Sequence, residues 1–180
     1  MKPVIEVRTA HTSALKPADL AEARALLHGV FDGDFSDEDW EHTIGGVHAL
    51  VHEGGELVGH ASVVQRRLVH GGRALRTGYV EGVGVREDLR RRGYGGALMA
   101  AIEDVVASAY DLGALSASEV GALFYLSRGW RQWRGPASAL TPRGVVRTEE
   151  EEGGIYVLPG AVELDLDGDL MCDWRDGDVW

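Results

Sequence analysis

The residues best suited to hold an anion lie in a glycine-rich and arginine-rich segment near the middle of the chain. Arg90, Arg91 and Arg92 stand directly before a group of glycines in residues 93–96. Glycines let the backbone approach a ligand closely, and the first N–H groups of a helix carry partial positive charge. Adjacent arginines add charge and paired donors. The segment therefore predicts a diphosphate site, although a solvated loop with a tight glycine turn explains the same residues.

Two other phosphate-binding patterns do not fit this segment. A Walker loop requires Gly-Lys-Ser/Thr after four spacer residues, and the sequence contains no such run. A dinucleotide fingerprint requires a βαβ unit with an acidic residue about 20 positions further on. The arginine-rich approach to the glycines does not suit that arrangement.

The apolar pattern predicts the elements that position this segment. Strands are predicted at residues 4–8, 48–52, 56–69, 74–85 and 112–115, with Gly-Gly turns at 54–55 and 71–72. Helices are predicted at 17–30, from a Ser36 cap to 45–46, at 93–110 and at 120–127. Residues beyond 130 are predicted as strands and loops. The sequence indicates one α+β domain over residues 1–180, with a mostly antiparallel sheet.

The order of a Val-x-Val strand and Arg90-x-x-Gly93-x-Gly95 resembles the acyl-coenzyme A loop of the GCN5-related N-acetyltransferases. Further stretches resemble the aminoglycoside 2'-N-acetyltransferases of actinobacteria: DWEHT at 39–43, GYVEGV at 78–83, GALS at 113–116, LFYLSRGW at 123–130 and MCDWRDGDVW at 171–180. Together they extend over nearly the whole chain. An all-glutamate acidic turn at 149–152 departs from the aspartates expected there.

The resemblance implies a mixed sheet flanked by helices, splayed central strands and acetyl-CoA as cosubstrate. It implies that the loop amides hold the pyrophosphate and that the preceding strand pairs with pantetheine. The implied coenzyme A-binding residues are Val83, Gly84, Val85, Arg90, Arg91, Arg92, Gly93, Tyr94, Gly95 and Gly96. A homodimer is also implied.

Three groups are candidates for the chemistry of acetyl transfer to an amine. Glu81 precedes the coenzyme segment and is the candidate general base, acting through water. Tyr125 matches the tyrosine that protonates the departing thiolate in the superfamily, and a phenol remains protonated at neutral pH. The N–H of Val83 is a candidate donor to the thioester carbonyl. Glu81 as a solvated strand residue and Tyr125 as a core aromatic remain the structural alternatives.

An aminoglycoside is a polycation, so its ammonium groups require carboxylates or carbonyls when they leave water. The candidate substrate-binding residues are Asp34, Asp39, Glu81, Gly82, Ser116, Glu150, Glu151, Asp178 and Trp180, the last through its carboxylate. Asp39 has a second interpretation as a helix cap. An acidic cleft would also steer a cation toward the enzyme.

Composition excludes several classes of partner. The formal net charge is -11, and residues 148–180 hold eleven acidic residues against one basic residue, which argues against nucleic acid and anionic membranes. A lone cysteine, Cys172, permits no internal disulfide. The absence of a signal-peptide core and of long apolar runs predicts a cytoplasmic location. The seven histidines have no compact ligand spacing, so no metal is predicted.

Three functions remain open on the sequence. The first is N-acetylation of the 2'-amino group of aminoglycosides, which would confer antibiotic resistance. The second is acetylation of an endogenous amino sugar, such as an intermediate of thiol synthesis. The third is a coenzyme A-binding regulatory module without turnover, which the joint presence of Glu81 and Tyr125 disfavours.

Overall fold

The computed structural model describes residues 4–180, whose contacts group into two compact units. Unit 1 comprises residues 4–64 and 80–105, and unit 2 comprises residues 65–79 and 106–180. Two long strands and one long helix pass from one unit into the other along the chain. Within the described residues, no helix is long and apolar enough to cross a membrane.

Unit 1 combines antiparallel strands with helices from the first half of the chain. Its elements, with those that continue into unit 2, are β1 (Arg8–His11), α1 (Pro17–Val30), α2 (Asp37–Thr43), β2 (Val47–Glu53), β3 (Glu56–His70), β4 (Arg73–Val85) and α3 (Tyr94–Ala109). β1 pairs with β2 and β2 with β3, both antiparallel. β4 is the neighbour of β3 on the other side.

Helix starts in unit 1 follow local capping chemistry. α1 begins with Pro17, whose fixed φ suits a first helical turn. α2 begins after Ser36, which accepts the Asp39 N–H at 3.1 Å while the Asp39 carboxylate accepts the Ser36 N–H at 2.8 Å. This reciprocal pair is the predicted capping box. The helices bury Leu27 and Trp40 against Leu50 of β2.

Unit 2 contains the remaining strands and one helix. Its further elements are β5 (Leu112–Ser116), α4 (Glu119–Ser127), β6 (Arg131–Gln132), β7 (Ala137–Thr141), β8 (Gly144–Arg147), β9 (Ile155–Pro159) and β10 (Leu170–Cys172). The strand order is β6-β9-β5-β4 in one part and β3-β10-β7-β8 in the other. The core includes the fully buried Trp130 and Trp133.

The pairing directions confirm the predicted fold class. β4–β5 and β10–β7 are parallel, whereas the other described pairs are antiparallel. The register of β4 with β5 ends at Tyr79, opposite Ala114, and β4 continues to Val85. The part of β4 beyond this pairing contains Glu81, the candidate base, and Val83, whose N–H is the candidate donor to the thioester carbonyl.

The first predicted strand was wrong in its position. Residues 4–7 have no regular structure, and β1 occupies Arg8–His11 instead. β1 is defined by its pairing with Val47–Leu50 of β2, so its bounds depend on a distant partner. The apolar residues at 4–7 predicted a strand that begins too early, because the bounds of a strand depend more on its pairing than on composition.

Candidate active site

The end of β4 presents Glu81 and Val83 on either side of an unusual glycine. Gly82 has a φ of +54, which side chains other than glycine rarely adopt, so the strand is locally distorted there. A Cβ at this position would lie 3.0 Å from Thr43 Cγ2 and 3.1 Å from Leu27 Cδ1. The ends of α2 and α1 thus enclose Gly82, and a larger residue would strain the backbone and force these side chains to shift.

The glycine loop, residues 86–96, comprises the connection between β4 and α3 and the first residues of α3. Arg86 is held by Asp88 at 2.7 Å and by Glu56 at 2.9 Å, which anchors the start of the loop. Arg91 and Gly93 have φ values of +64 and +94. Arg90, Arg91 and Arg92 are exposed, and α3 begins directly afterwards at Tyr94.

The first turn of α3 places the amides of Gly95 and Gly96 at a helix N-terminus, where an anion is favoured. A cavity of about 390 Å³ adjoins the loop and is lined by Arg86 and Arg90 together with the end of α1. The lining of the cavity also includes the acidic residues Asp32 and Glu87. A phosphate site at the loop and the first turn of α3 remains a prediction.

A chain of buried polar side chains lies beneath the end of β4. His60 Nδ1 is 2.6 Å from the carbonyl oxygen of Gly82, and His60 Nε2 is 2.8 Å from His48 Nδ1. His48 Nε2 is 2.7 Å from the hydroxyl of Thr12. Both imidazoles are fully buried, and burial lowers the pKa of each to about 4. Their spacing in the sequence argues against a metal site but does not indicate that His60 contacts Gly82 and that His48 contacts His60.

The two candidate acids of unit 1, Asp34 and Asp39, flank the start of α2. Asp34 is exposed, whereas the Asp39 carboxylate accepts the Ser36 N–H of the capping box. The cap interpretation of Asp39 is therefore confirmed. A role for either residue in substrate binding remains a prediction.

Tyr125 lies in unit 2 on α4, which is capped by Ser118 through the Gly121 N–H. Its ring contacts Trp130 edge-on, with centroids 6.0 Å apart. Burial raises the pKa of the Tyr125 phenol to about 12. The hydroxyl is therefore protonated at neutral pH, as a proton donor must be.

The acidic turn and the residues near Trp180 form a second group in unit 2. The Trp180 indole N–H donates to the Thr148 hydroxyl at 2.8 Å, and Thr148 directly precedes the one-turn helix Glu149–Glu151. Burial and the neighbouring carboxylates of Asp178 and Glu150 raise the pKa of Glu151. The Glu151 carboxylate is thus close enough to Asp178 and Glu150 to be repelled by both.

The four glutamates of the turn divide into two pairs. Glu149 and Glu152 contact Arg147, at 3.4 and 2.8 Å. Glu150 and Glu151 instead interact unfavourably with other acids. The choice of Glu150 and Glu151 as substrate-binding residues remains a prediction. Ser116 is exposed at the end of β5 in the same unit.

Arg66 holds the segment that leads to Trp180 in place. The sequence alone did not predict this role. The Arg66 side chain is only 4% exposed. It donates to the Asp173 carboxylate at 2.7 Å and to the carbonyl oxygens of Asp173 and Val179. The guanidinium also lies over the Tyr79 ring, 4.6 Å from its centroid.

Cys172 is buried beside this segment, and burial raises its thiol pKa to about 11. A thiol in that state is a poor nucleophile at neutral pH. Cys172 is therefore a poor candidate for an acyl-carrying nucleophile.

The chain is similar to known acetyltransferases. Residues 11–133 match the family model described as an acetyltransferase (GNAT) domain. The aminoglycoside 2'-N-acetyltransferase of Mycolicibacterium fortuitum is 52% identical over 177 residues, covering 96% of this chain and 91% of the relative.

Solved structures share the fold at lower identity. Escherichia coli ElaA matches with a TM-score of 0.62 and 22% identity, covering 87% of this chain and 99% of that one. The E. coli N-acetyltransferase YhbS, solved with CoA, matches with a TM-score of 0.62 and 15% identity, covering 98% and 93%. The predicted fold is thereby confirmed. Because the domain match spans more than half of the chain and the M. fortuitum enzyme aligns nearly end to end, the chain belongs to the GNAT acetyltransferases and, within them, to the aminoglycoside 2'-N-acetyltransferase family.

Proposed function

We propose that this acetyltransferase uses acetyl-CoA to acetylate the 2'-amino group of aminoglycosides. The observation that carries the proposal is the group of carboxylates around Glu151 in unit 2, where burial and then the charges of Asp178 and Glu150 raise the pKa of Glu151. A polycationic ligand would relieve this repulsion, whereas a neutral amine would not. Similarity to the aminoglycoside 2'-N-acetyltransferase of M. fortuitum supports the same substrate class.

The glycine loop and the first turn of α3 would hold the coenzyme. Exposed arginines at 90–92 and the N-terminal amides of α3 offer charge and donors to its phosphates. Acetyl-CoA supplies the acetyl group as an activated thioester. GNAT structures solved with acetyl-CoA or CoA, from Brucella melitensis and E. coli, support this choice of cosubstrate.

Each candidate catalytic group has one task in the proposed reaction. Glu81 accepts, through water, the proton that the amine must lose, and the Val83 N–H stabilises negative charge on the carbonyl oxygen. The amine nitrogen forms a bond to the acetyl carbon as the carbon–sulfur bond breaks. Tyr125 donates its proton to the leaving sulfur, and the products are an amide and a free thiol.

Thiol release from acetyl-CoA tests the proposal directly. Tobramycin and gentamicin carry a 2'-amine and are expected to support rapid turnover. Kanamycin A, which has a hydroxyl at that position, is the matched control and is expected to give none. Equal rates with tobramycin and kanamycin A would reject the 2' assignment. Turnover confined to simple amino sugars would favour an endogenous substrate.

A further inference from the structure

We infer that His60, supported by His48 and Thr12, is a positioning residue that aims and polarises the Val83 N–H. The inference rests on the proposed function, in which this N–H binds the thioester carbonyl oxygen. It starts from the peptide between Gly82 and Val83, whose carbonyl oxygen accepts a hydrogen bond of 2.6 Å from His60. None of the three side chains otherwise takes part in the proposed reaction.

The direction of each hydrogen bond from Thr12 through the two histidines to Gly82 follows from which groups can donate and which can accept. The Gly82 carbonyl can only accept, so His60 Nδ1 must carry the proton. The low pKa of His60, about 4, makes the ring neutral, so its Nε2 accepts from His48 Nδ1. His48 is neutral for the same reason, and its Nε2 accepts the Thr12 hydroxyl proton.

The hydrogen bonds of Thr12, at the end of the series opposite to Gly82, also have a defined direction. The Thr12 hydroxyl oxygen accepts the backbone N–H of Gly45 at 2.8 Å. A second acceptor for its proton, the carbonyl of Gly46, lies further away at 3.3 Å, against 2.7 Å for His48. All the donors therefore point the same way, from Gly45 through Thr12, His48 and His60 to the oxygen of Gly82.

Because the peptide is planar, the direction of the Gly82 carbonyl determines the direction of the Val83 N–H. The carbonyl of Gly82 and the N–H of Val83 belong to one trans peptide, so they point in opposite directions. Holding the oxygen on the His60 side aims the N–H to the other side. The N–H of Arg86 donates to Val58 of β3, and strand alternation then turns the Val83 N–H away from β3.

The chain also strengthens Val83 as a donor. A hydrogen bond to a carbonyl polarises the peptide, and aligned bonds reinforce each other by about 10–30% per bond. Burial makes this effect larger because little solvent screens the dipoles. Gly82 has a φ of +54, so the carbonyl lies at a strand distortion, where a side-chain donor can reach it.

Substitution of His60 separates positioning from general stability. His60→Asn retains an N–H donor near the Nδ1 position, whereas His60→Leu removes it. We expect His60→Leu to lower kcat about tenfold or more, since removal of a whole oxyanion donor costs about 10²–10³-fold. The KM for acetyl-CoA should stay within about twofold. His60→Asn should retain kcat within about threefold of the wild type.

Equal kcat values for the two variants, corrected for folded protein, would overturn the inference. If His60→Leu does not fold, Thr12→Val provides the test because it breaks the chain at its far end and leaves both rings in place. Its kcat is then expected to fall about threefold with unchanged KM for acetyl-CoA. An unchanged kcat in Thr12→Val would show that Thr12 and His48 do not support His60 in positioning Val83, and would overturn that part of the inference.

An NMR measurement makes the test independent of turnover. The amide proton of Val83 should resonate further downfield in the wild type than in His60→Leu, with His60→Asn and Thr12→Val between the two. An identical Val83 resonance in all of them would overturn the inference even if the enzyme is active. If no aminoglycoside is acetylated, the proposed function fails while this measurement still decides the positioning role.

Discussion

At the scale of single residues, burial sets the protonation states on which the proposed chemistry depends. Tyr125 is held on α4 against Trp130, and its pKa of about 12 retains the proton that a leaving thiolate requires. His48 and His60 are neutral because burial disfavours their charged forms. Burial thus gives Tyr125 a proton to donate and gives each histidine one donor and one acceptor.

Replacement of Tyr125 by Phe removes the hydroxyl but keeps the ring that packs on Trp130. We expect kcat to fall by about 10²-fold, because a positioned general acid contributes about 10²–10⁴-fold. Steady-state thiol release with tobramycin measures the effect. Tyr110→Phe, at another partly buried tyrosine of unit 2, is the control and should keep the wild-type rate. An unchanged kcat in Tyr125→Phe would assign thiolate protonation to another group.

At the scale of elements, the segment 171–180 is part of the core of unit 2 as well as a candidate substrate contact. Trp180 is only 3% exposed, and Arg66 binds the carbonyl of Val179 beside it. If Trp180 were a substrate contact only, removing Val179 and Trp180 would mainly weaken drug binding. The structure changes this expectation, because loss of the buried indole would also destabilise the fold.

A matched pair of substitutions separates the two roles of this segment. Trp180→Ala should lower the free energy of unfolding by about 3–5 kcal/mol, the usual cost of truncating a buried tryptophan. Asp178→Asn should leave the melting temperature within a few degrees, because the amide oxygen can still accept the Trp180 N–H. It should raise the KM for tobramycin several-fold while sparing acetyl-CoA. Thermal denaturation and initial rates measure both effects. An unchanged tobramycin KM in Asp178→Asn would remove this carboxylate from the site.

Most elements could be predicted from the sequence, because Gly-Gly turns, the Ser36 cap and helical apolar spacing are local signals. β2, β3, β4 and all four helices agree with the predicted positions within a few residues. β1 could not be placed, since its bounds depend on pairing with β2. The histidine chain was missed for a similar reason. Thr12, His48, His60 and Gly82 come from separate segments, and only the fold brings them together.

At the scale of the whole molecule, the net charge of -11 combines two opposite requirements. Unit 1 presents exposed arginines at 90–92 beside a helix N-terminus, which suits an anionic coenzyme. Unit 2 carries the carboxylates of Glu150, Glu151 and Asp178, which suit a cationic substrate. Nearly all of the acidic excess lies in residues 148–180 and is therefore part of unit 2.

The buried histidines make the stability of the protein sensitive to mild acid. Their pKa is about 4 in the folded chain against 6.5 when unperturbed, with nearby His11 adding to the effect at His48. Between pH 6.5 and 4 the unfolded chain therefore binds more protons than the folded one. The free energy of unfolding should fall as the pH drops through this window, by up to about 1.4 kcal/mol per pH unit for each histidine. Above pH 6.5 this contribution is fully present.

Urea denaturation at pH 7, 6 and 5 measures this dependence. The double variant His48→Asn/His60→Asn should show a shallower loss of stability than the wild type. His52→Asn, at an exposed histidine of the same unit, is the control and should keep the wild-type slope. Identical slopes of stability against pH in all three proteins would contradict the prediction, because they would show that folding does not lower the pKa values of the buried pair.

The interleaving of the two units along the chain has a consequence for protein synthesis. Unit 1 takes its last residues from 80–105, whereas unit 2 starts at residue 65 and requires β10 at Leu170–Cys172. During translation, unit 1 can therefore be completed while most of unit 2 has yet to leave the ribosome. At about 5–20 residues per second, several seconds separate the two events. For that interval the strand residues 65–79 have each other as neighbours but lack their partners in β5 and β10. These two open strand edges are the expected binding site for a chaperone on the nascent chain.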